Sequence, residues 1–218
     1  MVYNPKLLTP NYFLRTNMKT LDLFSGTKSF SKIADELGYE TYTLDIESKN
    51  NPTFCIDIMN WDYKQLPPGY FHIIWASPNC KCYSSMNFLK GSNKDLTEAN
   101  KLVMKTLEII NYFNPKYWFL ENPERGKLKN QDFMKDIPYS DLDYCKYGFG
   151  YRKRTRIWHN HTFVPRPLCS KAGSYCKSKV NNIHTGINWI TRDGKKGASY
   201  KQKISVPPEL FKELISNL

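Results

Sequence analysis

Two residues stand where covalent chemistry would need them. Cys80 follows Pro78 and Asn79 at the end of the apolar run 72–76 (HIIWA). Glu121 opens the triplet Glu121-Asn122-Pro123 directly after the apolar run 117–120. A thiol on a strand-end loop projects into a cleft, and cations such as Lys81 or the basic segment favour its thiolate, the nucleophilic form. A carboxyl held beside apolar Trp118 and Phe119 is suited to work as an acid. Each also has a plainer reading: a small buried hydrophobe for the cysteine, a surface residue opening a turn for the glutamate.

The stretch 22–30 (DLFSGTKSF) offers a second kind of chemistry. A strand that runs into the small residues Ser25 and Gly26 lets the backbone approach a cofactor at a helix N-terminus. An acidic residue at the end of the next strand suits a ribose diol, and Asp45 fills that slot. Ile46 could lie against an adenine ring, and Asp57 could accept a hydrogen bond from an adenine amino group. Both aspartates also read as ordinary loop carboxylates.

These groups need elements to hold them. Apolar β-rich runs at 19–24, 41–46, 54–58, 72–76 and 117–120 alternate with helical stretches. One helix carries Phe30, Ile33, Ala34 and Leu37 at helical spacing and stops at Gly38; a longer one runs from about 94 to 113. Strand-like runs follow near 142–147 and 155–158. Such alternation predicts an α/β fold with a mostly parallel sheet and helices on both faces. Ligands of such sheets lie outside the carboxyl ends of the strands. Ser25, Gly26, Asp45, Asp57, residues 78–80, Glu121 and Asn122 all fall at those ends.

Charge is distributed unevenly. Residues 145–203 carry fourteen Lys or Arg and one acid, Asp193, so that segment alone is +13 in a chain of +12. Concentration of this kind, interleaved with Tyr147, Phe149, Tyr151 and Trp158, suits a phosphate-binding surface with aromatics that can stack on bases. A solubilising face and a filled core are the plainer readings of the same residues. Six cysteines in a chain without a signal-peptide stretch argue against a disulfide framework. Cys145, Cys169, Cys176 and His184 would make a closed tetrahedral structural zinc site, with His159 and His161 as competing ligands and unligated thiols as the alternative. A loop-rich stretch poor in aliphatics gains most from such a staple.

Five segments together resemble the DNA cytosine-5 methyltransferases, in that family's order: 22–26 (DLFSG), 77–80 (SPNC), 121–123 (ENP), Tyr147-Gly148 with Arg154-Thr155-Arg156, and 205–208 (SVPP). The resemblance implies a Rossmann-like S-adenosylmethionine-dependent fold. It assigns Cys80 as nucleophile, Glu121 as acid, and Arg154 and Arg156 as contacts to the target nucleotide. It implies a cofactor pocket of Asp22, Phe24, Ser25, Gly26, Asp45, Ile46, Asp57, Ile58, Pro78 and Ser205. Lys28-Ser29 stands where the family usually has two glycines, Asn79 where it has proline, and Lys81 where it has glutamine. The recognition region before the last segment is reduced to about forty residues, which resembles a compact branch carried by a virus or mobile element.

The expected organisation is a catalytic domain over 1–160, a small basic, zinc-stapled segment over 161–203, and a C-terminal helix over 204–218 that returns to the catalytic domain. The expected enzyme is a soluble intracellular one, in a prokaryotic cytoplasm or a virus-infected cell, with no membrane contact and with the monomer favoured. Its substrate is DNA. The alternatives are an RNA methyltransferase of the same fold, an inactive nucleic-acid-binding protein, and a thiol redox role for Cys80 and Cys82.

Overall fold

Period-two patterning divides this protein into two faces of one sheet. In the computed structural model, which describes residues 17–83, 95–169, 176, 179–180, 183–184, 204–216 and 218, seven strands pair in the order β3-β2-β1-β4-β5-β7-β6. They are β1 (Lys19–Leu23), β2 (Glu40–Asp45), β3 (Phe54–Cys55), β4 (Ile73–Ala76), β5 (Tyr117–Pro123), β6 (Tyr139–Asp143) and β7 (Arg154–His159). The first five are parallel; β7 enters antiparallel between β5 and β6. A separate two-stranded ribbon joins β8 (Lys179–Val180) to β9 (Ile183–His184).

Ile73 and Trp75 of β4 and Phe119 of β5 point to the face covered by α1 (Ser29–Glu36) and α3 (Pro208–Ser216). Ile74 and Ala76 of β4 and Leu120 of β5 point to the opposite face, where Val103, Ile109, Ile110 and Phe113 of α2 (Thr97–Phe113) bury against them. Strands apolar on both sides are what a sheet covered by helices on both faces requires. Phe30 of α1 and Phe211 of α3 meet edge to face, their rings 5.4 Å apart. Among the described residues no helix is long and apolar enough to cross a membrane.

Two local readings change. The strand-like run at 142–147 divides: β6 ends at Asp143, and Tyr144–Tyr147 forms a 3-10 turn closed by Gly148 at φ 91°. Glu121, Asn122 and Pro123 lie inside β5 rather than beyond it, because β7 extends the ladder through Pro123↔Thr155.

Candidate active site

The carboxyl ends of β1, β2 and β4, together with the last residues of β5, build the site. At the end of β1 the chain turns sharply, with Phe24, Gly26 and Lys28 all at positive φ (60°, 44° and 56°). Two of these three are not glycine, and backbone held in that region concentrates at functional sites. The turn is fixed from below: the Ser25 N–H donates to the Leu44 carbonyl at 3.0 Å. The Gly26 N–H donates to Asp45 Oδ2 at 2.8 Å, and Asp45 Oδ1 accepts the Glu47 N–H at the same distance. Asp45 is therefore oriented by two backbone donors.

Ser25 Oγ is buried with no hydrogen-bond partner among the described residues, an orphaned polar atom of the kind a bound molecule would satisfy. Ile46, next to Asp45 in the chain, is 67% exposed, unusual for a large aliphatic residue. Asp57 caps a short 3-10 turn by accepting the Met59 N–H, and Ile58 is packed into the core rather than presented to the cleft. Asp22 is also buried; it accepts the Ser31 hydroxyl at 2.6 Å, and burial pushes its carboxyl up to about 7. Ser205, far along the chain, places its Oγ 3.3 Å from Thr27 Oγ1.

Cys80 sits half-buried in the turn after β4. That turn is tied to β5 by Asn122, whose Nδ2 donates to the Pro78 carbonyl at 3.0 Å in a buried bond. Asn79 Oδ1 accepts the Lys81 N–H, and the Tyr83 N–H donates to the Cys80 carbonyl, so the loop is held before and after the thiol. Burial, then the Glu121 charge, push the Cys80 thiol above its ordinary value, against the pull of Lys153 and Lys81.

Glu121 is buried, and two groups reach its Oε1: the Tyr144 hydroxyl donates at 3.0 Å and the Lys153 ammonium at 3.4 Å. Lys153 also lies 4.8 Å from the Tyr144 ring. Sequence reasoning missed both partners. Tyr144 was hidden in a run read as strand, and Lys153 stands immediately before the motif that drew attention.

Arg154 and Arg156, expected as contacts to the target nucleotide, each meet a carboxylate of β6. Alternation on β7 sets them opposite to Thr155 and Ile157, and Ile157 is the residue facing Glu121 in the ladder. Arg154 pairs with Asp143 and Arg156 with Asp141, each through two nitrogens and two oxygens. The Arg156 guanidinium also lies 3.4 Å from the centre of the Tyr139 ring.

The structure draws three of the four proposed metal ligands together. The sulfur atoms of Cys145, Cys169 and Cys176, all buried, lie within 4.8 Å of one another. His184 lies on β9, and its side chain falls outside the described residues. Of its competitors, His159 Nε2 is 3.0 Å from Ser140 Oγ and His161 packs edge-on against Tyr117.

A mostly parallel sheet with β7 antiparallel between β5 and β6, and helices on both faces, is the Rossmann-like fold of the methyltransferases. The same fold is seen in a DNA modification methyltransferase encoded within an E. coli prophage (TM-score 0.50, 15% identity, 65% of this chain and 46% of that one). It is seen again in the Entamoeba histolytica methyltransferase EhMeth (TM-score 0.50, 14% identity, 66% and 52%). The chain spans about half the length of these two structures. The family model for C-5 cytosine-specific DNA methylases matches residues 18–152. A probable DNA (cytosine-5)-methyltransferase of Frog virus 3 is 34% identical over 219 residues, covering 91% of this chain and 99% of that protein. The chain belongs to the C-5 cytosine-specific DNA methylase family.

Proposed function

We propose that this protein transfers a methyl group from S-adenosylmethionine to C5 of cytosine in DNA through a covalent bond between Cys80 and C6 of the base. The observation that carries the reading is the convergence of two groups. The Cys80 turn and the Glu121 strand come from neighbouring parallel strands, and Asn122, next to Glu121, fastens one to the other. A binding module would need neither a thiol nor a buried carboxyl there.

The target cytosine must leave the duplex to reach this cleft. Cys80 thiolate adds to C6, forming the S–C6 bond and moving the C5–C6 electron pair toward C5. The proton released from the Cys80 thiol passes to the Glu121 carboxylate and from it to N3, so that the ring gains no net negative charge. The Lys153 ammonium, beside Glu121 Oε1, stabilises the charge that develops on the neighbouring carbonyl oxygen before that proton is fully transferred. S-adenosylmethionine, when bound, supplies the electrophilic methyl group. The C5 proton then passes to water, its electron pair restores the C5–C6 double bond, the S–C6 bond breaks to release the Cys80 thiolate, and the N3 proton returns to Glu121. Arg154 and Arg156 act through the scaffold in this reading, bracing the β6–β7 hairpin from which Lys153 projects.

The cofactor would rest on the turn 24–28. Ser25 Oγ supplies an unmet hydrogen bond, Asp45 a carboxylate for the ribose diol, Ile46 an apolar surface for adenine, and Asp57 an acceptor for its amino group. Residues 161–203, most of them outside the described residues, carry the basic charge that would meet the phosphates, and Ser205 would close the cofactor loop. Cys145, Cys169 and Cys176 would hold one structural zinc, with His184 the expected fourth ligand, and the ion would staple the segment after β7 to the 3-10 turn at 144–147.

The decisive experiment uses duplex DNA containing 5-fluorocytosine and S-adenosylmethionine labelled on its methyl group. Fluorine at C5 blocks the last elimination, so a working enzyme stays covalently bound through Cys80 and the label survives denaturing electrophoresis. An adduct lost in Cys80→Ala supports the proposal. An adduct on matched RNA alone moves the substrate to RNA, and salt-sensitive binding with no adduct on either makes the protein a binding module.

A further inference from the structure

The three buried cysteines form a cluster that contains no aliphatic residue among those described. It joins distant parts of the chain: Cys145 belongs to the 3-10 turn Tyr144–Tyr147, while Cys169 and Cys176 follow β7. The Cys169 N–H donates to Asp143 Oδ2 at 2.9 Å, so the same segment also grips the end of β6. Tetrahedral zinc with Zn–S bonds of about 2.3 Å sets its sulfurs about 3.8 Å apart. Thiols already within 4.8 Å of one another need only a small contraction to reach that spacing. On binding, each thiol would release its proton to solvent.

The residue directly before Cys145 is Tyr144, whose hydroxyl donates to Glu121 at 3.0 Å. We infer that the Cys145–Cys169–Cys176 cluster binds one zinc ion that fixes the 3-10 turn, so that Tyr144 holds the Glu121 carboxyl in its working position. The inference rests on the reading of Glu121 as the acid. Tyr144 is a positioning residue here; it acts on the base only through Glu121. An ion that merely held the basic segment in place would leave the chemistry at C6 untouched, whereas this one is coupled to it through one residue.

The test begins with the full chain purified without chelator. Elemental analysis is expected to find one zinc per chain, and cobalt substitution to give the sulfur-to-cobalt charge-transfer band of a thiolate site. Stripping the metal should lower the rate of adduct formation on 5-fluorocytosine DNA by about tenfold to a hundredfold, with the affinity for S-adenosylmethionine unchanged, and added zinc should restore the rate. Tyr144→Phe should retain its zinc and lose a similar factor, and stripping its metal should cost little more. Cys176→Ser should lose the zinc; should it fail to fold, the stripped wild type gives the same readout, checked by circular dichroism. A chain that forms adduct with no metal bound and all three thiols open to alkylation overturns the site. Zinc whose removal leaves the adduct rate unchanged overturns the coupling. Zinc present in a chain that never forms adduct is instead a failure of the methyl-transfer reading.

Discussion

Arg154 grips Asp143 with both prongs of its guanidinium, Nη2 2.8 Å from Oδ2 and Nε 3.1 Å from Oδ1, directly across the β6–β7 ladder. Asp143 has no exposed side-chain surface and is also met by Arg152 and the Cys169 N–H. Burial alone would raise its carboxyl, but the Arg154 hydrogen bond, the Cys169 N–H and the charges of Arg152 and Arg154 outweigh it and hold it low. Arg154→Ala leaves that carboxylate partly uncompensated and should cost roughly 1–3 kcal/mol of stability. Urea unfolding of the variant checks this.

Lys153→Met removes the cation that faces Glu121 and should slow adduct formation by about tenfold to a hundredfold, with little change in the urea midpoint. Arg156→Met should do the reverse, losing stability before chemistry. If the arginine variant is the slower catalyst and the lysine variant is not, the base is held by the arginine and our assignment of Lys153 fails.

Glu121 and Lys153 act on the Cys80 thiol in opposite directions. Alkylation of Cys80 by iodoacetamide, followed against pH with the exposed Cys55 and Cys82 changed to serine, reads that thiol directly. The wild-type rate should rise with pH and level off above the ordinary thiol range. Glu121→Gln removes a negative neighbour and should shift the curve toward acid. Lys153→Met should shift it toward alkali. Identical curves for all three proteins would mean that neither group faces the thiol.

Asp22 gives the fold its own pH dependence. Its carboxyl titrates near 7 when folded and at its ordinary value of 3.8 when unfolded, so between those values the folded chain keeps a proton the unfolded chain has released. Stability from this group is therefore full below about pH 4 and declines as pH rises through 7. The shift bounds the loss at about 4 kcal/mol. Asp22→Asn retains the Ser31 contact without the charge, and should be more stable than wild type at pH 8 and nearly equal to it at pH 4. Parallel losses in both proteins across that range would show that other groups set the dependence.

Lys28 occupies a left-handed backbone conformation at φ 56°, where a non-glycine residue is disfavoured by roughly 1–2 kcal/mol. Its ammonium offsets part of this by donating to the Asn51 carbonyl at 2.7 Å. Glycine also widens the unfolded ensemble, which costs about 0.4–1 kcal/mol. The net expectation for Lys28→Gly is a gain of a few tenths to about 1 kcal/mol, read as a higher thermal midpoint. A lower midpoint would show that the Asn51 contact outweighs the strain.

Much of the sheet was legible because parallel strands buried on both faces leave unbroken apolar runs, as at 72–76 and 117–120. Their carboxyl ends followed, and with them Cys80, Glu121 and Asp45. The facing of side chains was not legible where it depends on register between distant strands. Arg154-Thr155-Arg156 announces its charges, but only the ladder pairs its arginines with Asp143 and Asp141 and leaves Lys153 toward Glu121. Tyr144 and Cys145 read as a continuing strand because the 3-10 turn preserves their apolar neighbours. Ile58 follows Asp57 into the core, a burial that its place after a two-residue strand does not reveal.

The contact between Thr27 and Ser205 joins the first loop of the sheet to a segment 178 residues further along the chain, and Phe211 of the helix that follows completes the apolar bed on which Phe30 rests. The first loop therefore gains this cover only once a distant segment has folded back onto it, so its order is set by a long-range contact and not by its own short sequence.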